Sequence, residues 1–158
     1  MKPGLTKMSI MIALVAAIVL PSCSKKDKND EGSIGDNVKT ATFTIKVTGG
    51  NAKVLSVIIG GANTRGATST WKLNGTEVND AAIMLDQNDF PGTTAKTYTT
   101  VLVQPANNVS MHITGETPTS GTPYKIYYKC EVNGVKKDEA TVDVTAANGF
   151  SKSLRYTE

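Results

Sequence analysis

Alternation of apolar and polar residues dominates the chain from residue 39 onward. Ala41, Phe43, Ile45 and Val47 alternate with threonines and a lysine, and this period of two predicts a strand with one buried face. Similar short runs recur at steady spacing without a long helical pattern, which is typical of an antiparallel all-β sandwich. The predicted strands cover residues 40–48, 54–59, 68–78 as a hairpin, 81–85 as a strand or short edge element, 97–103, 109–114, 124–132, 135–144 and 150–156.

Two Asn-Gly pairs predict tight hairpins. Asn74-Gly75 lies between a Trp-Lys-Leu run and a Thr-Glu-Val run, and Asn133-Gly134 joins the strand ending at Val132 to the next one. Both central residues of such a turn need positive φ, which Asn and Gly adopt most readily. We therefore expect two antiparallel strand pairs at these positions.

Three of these segments resemble parts of immunoglobulin-like domains. Residues 71–78, Trp-Lys-Leu-Asn-Gly-Thr-Glu-Val, resemble the third strand and its turn, in which a Trp anchors the core. Tyr128-Lys129-Cys130 resembles the Tyr-x-Cys of the sixth strand, and Val135–Val144 falls where the seventh follows. The resemblance implies an immunoglobulin-like β-sandwich in which Trp71 packs near Cys130. It departs at residues 54–59, which have no Cys, so the inter-sheet disulfide is absent, as in many bacterial and fibronectin-type members.

The first 22 residues differ from the rest of the chain in charge and hydrophobicity. Lys2 and Lys7 precede an apolar run over residues 9–20, which predicts a secretory signal peptide and is shorter than the roughly 20 residues of a membrane span. The run ends in Leu20-Pro21-Ser22-Cys23, which resembles the lipobox of bacterial lipoproteins. That resemblance implies cleavage before Cys23 and acylation of its sulfur and amine, and two or more acyl chains anchor a protein stably to a membrane. The alternative is an ordinary cleaved signal peptide with an incidental Cys.

A polar segment follows the Cys. Residues 24–38 have too little apolar surface to offset the entropy of ordering, so we expect a flexible tether. Ser24, by the sorting habit of enteric bacteria, implies the outer membrane, and residues 25–31 resemble the charged segment of Bacteroidota lipoproteins that promotes surface display. The predicted organisation is a signal peptide over 1–22, a lipidated Cys and tether over 23–38, and the sandwich domain over 39–158.

Charge gives little support to nucleic-acid binding. The chain has 17 basic and 14 acidic residues, and removing the signal peptide takes away Lys2 and Lys7, so the mature charge is about +1. The sequence has no stripe of Lys and Arg interleaved with stacking aromatics. We expect no nucleic-acid partner.

The inventory of catalytic side chains is poor. His112, the only His, alternates with apolar neighbours on the opposite face, so we interpret it as solvated or locally bonded rather than as part of a zinc site or a Ser–His pair. Cys130 lies on the apolar face of its strand and has no partner for an internal disulfide once Cys23 is lipidated, so we expect a buried thiol. We expect no enzyme activity, no catalytic residue and no cofactor.

One loop raises the question of a metal. Asp86, Asn88 and Asp89 are oxygen-bearing residues beside Pro91, a composition compatible with calcium. Side chains of this kind also bond the amides of their own turn. We favour the plain turn and expect no metal site.

Aromatic residues raise the question of a sugar platform. By pattern Trp71 and Tyr128 belong to the core, which leaves mainly Tyr98 and Tyr127 outward. Two separate tyrosines provide only a small aromatic surface on which a glycan could stack.

Two function classes therefore remain. The first is a structural or adhesive surface lipoprotein that docks onto a larger assembly, and fimbria-associated lipoproteins of Bacteroidota are similar in anchor and β-rich texture. The second is a glycan-binding accessory lipoprotein of a polysaccharide-uptake system, whose members carry immunoglobulin-like modules. The partners would be the membrane, through the lipid, and a protein or a surface glycan, and no binding surface is evident from sequence.

We predict that Cys23 carries the lipid, because Leu20 and Ser22 precede it at the spacing of the lipobox. Mass spectrometry of the mature protein is expected to give an N-terminal acylated Cys and no residue before it. The Cys23→Ala variant should lose membrane association. A soluble protein with an unmodified Cys23 would contradict the prediction.

Overall fold

The chain forms ten β-strands and no helix within the part that is described. The computed structural model describes residues 39–62 and 71–157; Cys23, the signal peptide and the tether lie outside them. The all-β prediction is confirmed. The strands are β1 (Ala41–Gly49), β2 (Val54–Ala62), β3 (Trp71–Leu73), β4 (Thr76–Val78), β5 (Ala82–Asp86), β6 (Lys96–Leu102), β7 (Asn108–Glu116), β8 (Tyr124–Val132), β9 (Val135–Val144) and β10 (Phe150–Tyr156).

The strands form two antiparallel sheets that pack as a sandwich. The larger sheet has six strands in the order β4-β3-β6-β1-β8-β9, and the smaller has four in the order β10-β7-β2-β5. The residues that face inward from both sheets make one hydrophobic core. No helix within residues 39–62 and 71–157 is long and apolar enough to cross a membrane.

The alternation seen in the sequence places the core as predicted. In β1, Ala41, Phe43, Ile45 and Val47 are buried, and β8 begins and ends at the predicted residues with every second side chain buried. Each strand therefore contributes one apolar face to the space between the sheets.

Both Asn-Gly pairs form the predicted hairpins. Asn74 and Gly75 have φ of 50° and 86°, and Asn133 and Gly134 have φ of 52° and 72°. Each Asn side chain also accepts a hydrogen bond from outside its own hairpin. The Oδ1 of Asn74 accepts from the amide of Thr99 in β6 at 2.8 Å, and the Oδ1 of Asn133 accepts from the amide of Thr40, just before β1, at 2.9 Å. Each turn therefore attaches its hairpin to β6 or to the start of β1.

The sheets approach closely where β7 faces β8. A Cβ added to Gly115 would lie 2.7 Å from the hydroxyl of Tyr124 and 2.8 Å from Cδ1 of Ile126, so only a glycine fits without movement. The Tyr124 hydroxyl lies 3.0 Å from the carbonyl of Val54 and 3.3 Å from that of Glu116. Burial raises the pKa of Tyr124 to about 12, which keeps the hydroxyl proton available for these carbonyls.

Side-chain contacts connect β10, at one edge of the smaller sheet, to β8 and β9 of the larger sheet. The Lys152 ammonium lies 2.7 Å from the Asp138 carboxylate, and the ring of Phe150 stacks on that of Tyr128 with centroids 6.0 Å apart. The ion pair holds the pKa of Asp138 below its usual range. An aromatic stack and an ion pair thus join the two sheets at this side.

Trp71 is buried as predicted, but its neighbour is not the predicted one. Its side chain is fully buried, and its ring lies 6.3 Å from that of Phe43. β6 and β1 lie between β3 and β8, so the expected contact of Trp71 with Cys130 is wrong. The indole Nε1 is buried and has no hydrogen-bond partner among the described residues, so the ring contributes by packing alone.

We predict that Trp71→Ala lowers the free energy of unfolding by about 3–5 kcal/mol, because it removes a large buried ring and leaves a cavity beside Phe43. Domains of this size are stable by roughly 5–15 kcal/mol. Tyr127→Ala, at a partly exposed position, should cost less than about 1 kcal/mol. Denaturant unfolding of both variants tests this, and a Trp71→Ala protein as stable as wild type would overturn the core assignment.

Candidate functional site

A shallow depression lies on the outer face of the six-stranded sheet. Its volume is about 300 Å³, and Lys46, Thr48, Lys125, Tyr127 and Thr141 line it. Tyr127 is the cross-strand partner of Lys46 on one side and of Thr141 on the other. Because side chains on one face of a sheet recur at every second residue, β1, β8 and β9 bring an aromatic ring, two ammonium groups and two hydroxyls together.

The ring of Tyr127 is held in place by an acid on the next strand. Its hydroxyl donates to Oε1 of Glu139 at 2.7 Å, and Lys136 pairs with the other oxygen at 2.8 Å. This hydrogen bond raises the pKa of Tyr127, while Lys136 and Tyr127 together lower the pKa of Glu139. A partly exposed ring is thereby fixed beside the depression without being covered.

Two lysines on this face are held by acidic partners, whereas Lys46 has no such partner among the described residues. Lys125 forms an ion pair with Asp143, and Lys129 pairs with Glu131 at 2.8 Å. Lys46 makes no ion pair within residues 39–62 and 71–157 and is exposed. Its charge is therefore available to a ligand.

Tyr98, expected to face outward with Tyr127, instead faces the core side of β6. Its ring packs edge-on against Phe90 with centroids 5.1 Å apart, and its hydroxyl donates to the carbonyl of Asp89 at 3.1 Å. The loop after β5 folds beneath the ring, so the outward assignment of Tyr98 is wrong.

His112 and Cys130 each interact with a neighbouring side chain. The Nδ1 of His112 lies 2.6 Å from Oγ of Ser153, which confirms the local bond expected from sequence, although the partner is a serine and a Ser–His pair was not predicted. Cys130 is a buried free thiol, also as expected. Burial raises the pKa of Cys130 to about 11, and its thiol interacts with Tyr156, so the nucleophilic thiolate is disfavoured at neutral pH.

The acidic residues at the end of β5 and in the loop that follows bond the backbone of their own turn. Oδ1 of Asp86 accepts from the amide of Asn88 at 2.7 Å, and Oδ2 of Asp89 accepts from the amide of Asp86 at 2.8 Å. These are the local bonds of the plain turn. Among the described residues, no group of three or more His, Cys, Asp or Glu is arranged to hold a metal ion.

A second surface feature lies at the edge of the smaller sheet. β5 pairs only with β2 among the described strands, and Met84 at its centre is 74% exposed. A groove of about 470 Å³ runs between this edge and the β3–β4 hairpin, with Leu73, Val78 and Ile83 among its lining residues. This edge is apolar, and one side of its backbone pairs with no other described strand.

Sequence reasoning found Tyr127 but missed Lys46 and Met84. Lys46 is one lysine in an alternating run, and only the pairing of β1 with β8 puts it beside Tyr127. Residues 81–85 were predicted as a strand or short edge element, but only the strand order shows that β5 is an edge strand and that Met84 is exposed on it.

Comparison with solved structures finds similar folds in two proteins of the Bacteroidales. A domain of unknown function, DUF4425, from Bacteroides vulgatus ATCC 8482 superposes with a TM-score of 0.56 at 14% identity, covering 77% of this chain and 98% of that domain. The calcium-bound form of a protein from Parabacteroides distasonis, solved by NMR, gives a TM-score of 0.53 at 12% identity, covering 74% of this chain and 92% of its own.

At these identities the comparison establishes the β-rich fold, and the source organisms agree with the Bacteroidota resemblance drawn from the sequence. No family model matches the sequence, and no curated protein is significantly similar to it.

We predict that Cys130 in the folded protein resists a bulky thiol reagent at pH 7 and reacts once denaturant is added, because the thiol is buried. Since burial raises the folded pKa to about 11 from 9.0, the unfolded chain loses this proton first. The contribution of Cys130 to the free energy of unfolding is therefore present below pH 9 and is lost as the pH rises toward 11. The Cys130→Ala variant should lose less stability over this pH interval than the wild type does. Rapid labelling of Cys130 in the folded protein would contradict its assignment as a buried thiol.

Proposed function

We propose that this protein is a non-enzymatic, lipid-anchored binding module of the outer membrane or cell surface, with an immunoglobulin-like sandwich as its binding domain. The lipobox-like Leu20, Ser22 and Cys23 support the anchor. The Bacteroidales origin of the two structural neighbours supports a source for this protein among the Bacteroidota. Two Asn-Gly hairpins and a buried Trp in the larger sheet support the immunoglobulin-like description.

The placement of reactive side chains supports a non-enzymatic role. His112 is engaged by Ser153, Cys130 is buried, and the carboxylates of Asp86 and Asp89 accept bonds from their own turn. A nucleophile, a base and a group that orients the base do not meet anywhere in the described chain. The Parabacteroides neighbour was solved in a calcium-bound form. The described residues of this chain contain no group of three or more His, Cys, Asp or Glu that could hold a metal ion, so we do not extend calcium binding to this chain.

Protein docking is the function best supported, and the edge of β5 is the observation that carries it. β9 carries Lys136, Lys137 and Asp143 and has a bulge, and β10 is tied to Asp138 by Lys152. β4 is only three residues long. Natural proteins protect sheet edges with charges, bulges or short strands, and β5 has none of these along its length apart from Asp86 at its end.

The partner expected at this edge is an extended protein segment with basic flanks. Such a segment would add a strand to β5, with one set of alternate side chains entering the groove on the side of Ile83 and the other set lying beside Met84 on the exposed face. Asp80 lines the groove, and Asp86 and Asp89 line a neighbouring depression that also includes Met84. None of the three forms an ion pair within the described residues. Lysines or arginines that flank the added strand would neutralise them.

We predict that a photo-crosslinker at position 84 of the full chain, in native membranes, captures an extended segment of a partner with Lys or Arg at its ends. A synthetic peptide of that segment should slow amide hydrogen exchange in β5. Met84→Asp should weaken peptide binding by at least about tenfold, as for a central interface residue.

The control is Val135→Asp, at a position that is 55% exposed on the charged edge strand β9; this variant should bind normally. Unchanged exchange in β5, or equal binding by the Met84→Asp variant, would refute docking at this edge.

Glycan binding is the second candidate, favoured by the depression at Tyr127. A partly exposed aromatic ring flanked by hydroxyl and ammonium groups is a suitable surface for a sugar ring. This face belongs to the larger sheet and the β5 edge to the smaller one, so the two candidates use different surfaces.

A further inference from the structure

The charges around the depression at Tyr127 favour one kind of ligand. Lys125 is occupied by Asp143, and Lys136 by Glu139. Lys46, directly across from Tyr127, has no acidic partner within the described residues. An exposed ammonium group without a counter-ion attracts an anionic ligand.

The aromatic side of the depression favours a ring-shaped ligand. The Tyr127 hydroxyl is committed to Glu139 at 2.7 Å, so the ring is held in one orientation before any ligand arrives, which lowers the entropic cost of binding. Thr48 and Thr141 add hydroxyl groups at the border of the same depression. These can exchange hydrogen bonds with the hydroxyls of a sugar.

The size of the depression limits the ligand to about one or two sugar rings. Its volume of about 300 Å³ is at the lower end of the range for ligand sites, roughly 300–1,000 Å³. A short stretch of a longer chain also fits, because the depression lies on an open sheet face and both ends of the stretch could continue across it.

We propose that this depression binds an acidic sugar, with the sugar ring against Tyr127 and its carboxylate or sulfate group at Lys46. The inference rests on the glycan-binding candidate and gives it a ligand class. The charge contributes modestly because the site is exposed, and salt should weaken that part of the binding.

Calorimetric titration of the full-length protein in detergent tests the proposal. The probes are oligosaccharides of galacturonic and mannuronic acid with their methyl esters, and a sulfated galactan with its unsulfated form. The acidic probes should bind about threefold to fivefold tighter than their neutral counterparts at low salt, with the difference shrinking as salt is added. The carboxylated and sulfated probes show which anionic group is accepted.

Variants separate the two parts of the site. Lys46→Gln should abolish the preference for the acidic probe, so that the acidic and neutral probes bind with equal affinity. Tyr127→Ala should weaken both by about tenfold, whereas Tyr127→Phe, which keeps the ring, should retain most of the binding. The control is Lys72→Gln. Lys72 lies on β3 of the same sheet, is separated from β1 by β6, and is paired with Glu77. This variant should bind as wild type does.

The outcomes distinguish this inference from the function on which it rests. Equal binding of acidic and neutral probes that is lost in Tyr127→Ala would overturn the acidic preference and leave glycan binding in place. Absence of binding to every probe would overturn both. A charge preference that survives in Lys46→Gln would refute the assigned role of Lys46.

Discussion

The close approach of the two sheets around Tyr124 is the constraint on which the sandwich depends. The ring of Tyr124 fills the space over Gly115, and its hydroxyl reaches the carbonyls of Val54 and Glu116 in the opposite sheet. Thr117 donates to the carbonyl of Val144 at 3.0 Å just beyond it. No disulfide joins the sheets within the described residues. A buried tyrosine with satisfied polar atoms and a glycine without a Cβ therefore determine how near the sheets lie.

The strands could be predicted from the sequence, but their order in the sheets could not. A strand depends on interactions between residues close in sequence, whereas strand order depends on residues far apart in sequence. A strand such as Tyr124–Val132 is defined by its own alternation, and an Asn-Gly turn by its own backbone requirement. Which strand lies beside which depends on contacts between distant parts of the chain. The expected neighbour of Trp71 was therefore wrong, because β6 and β1 lie between β3 and β8. Tyr98 was assigned to the wrong face because Phe90 reaches it from a loop.

The same limit applies to the candidate surfaces. Tyr127 could be predicted to point outward, since it alternates with Tyr128 and Ile126 in one strand. Its association with Lys46 required the pairing of β1 with β8, and the exposure of Met84 required knowledge that β5 is the last strand of its sheet. Surfaces made by two or more strands are thus invisible to local pattern, even where each contributing strand is predicted correctly.

The position of β1 has a mechanical consequence. β1 lies in the interior of the larger sheet, hydrogen-bonded in antiparallel register to β6 from Thr42 to Val47 and to β8 along its whole length. A tension applied at Lys39, where the chain enters the domain, pulls β1 along its own axis. Both ladders are then loaded in shear, so many hydrogen bonds resist together instead of opening one after another. The first strand is consequently a firm point of attachment for a domain held from its amino-terminal end.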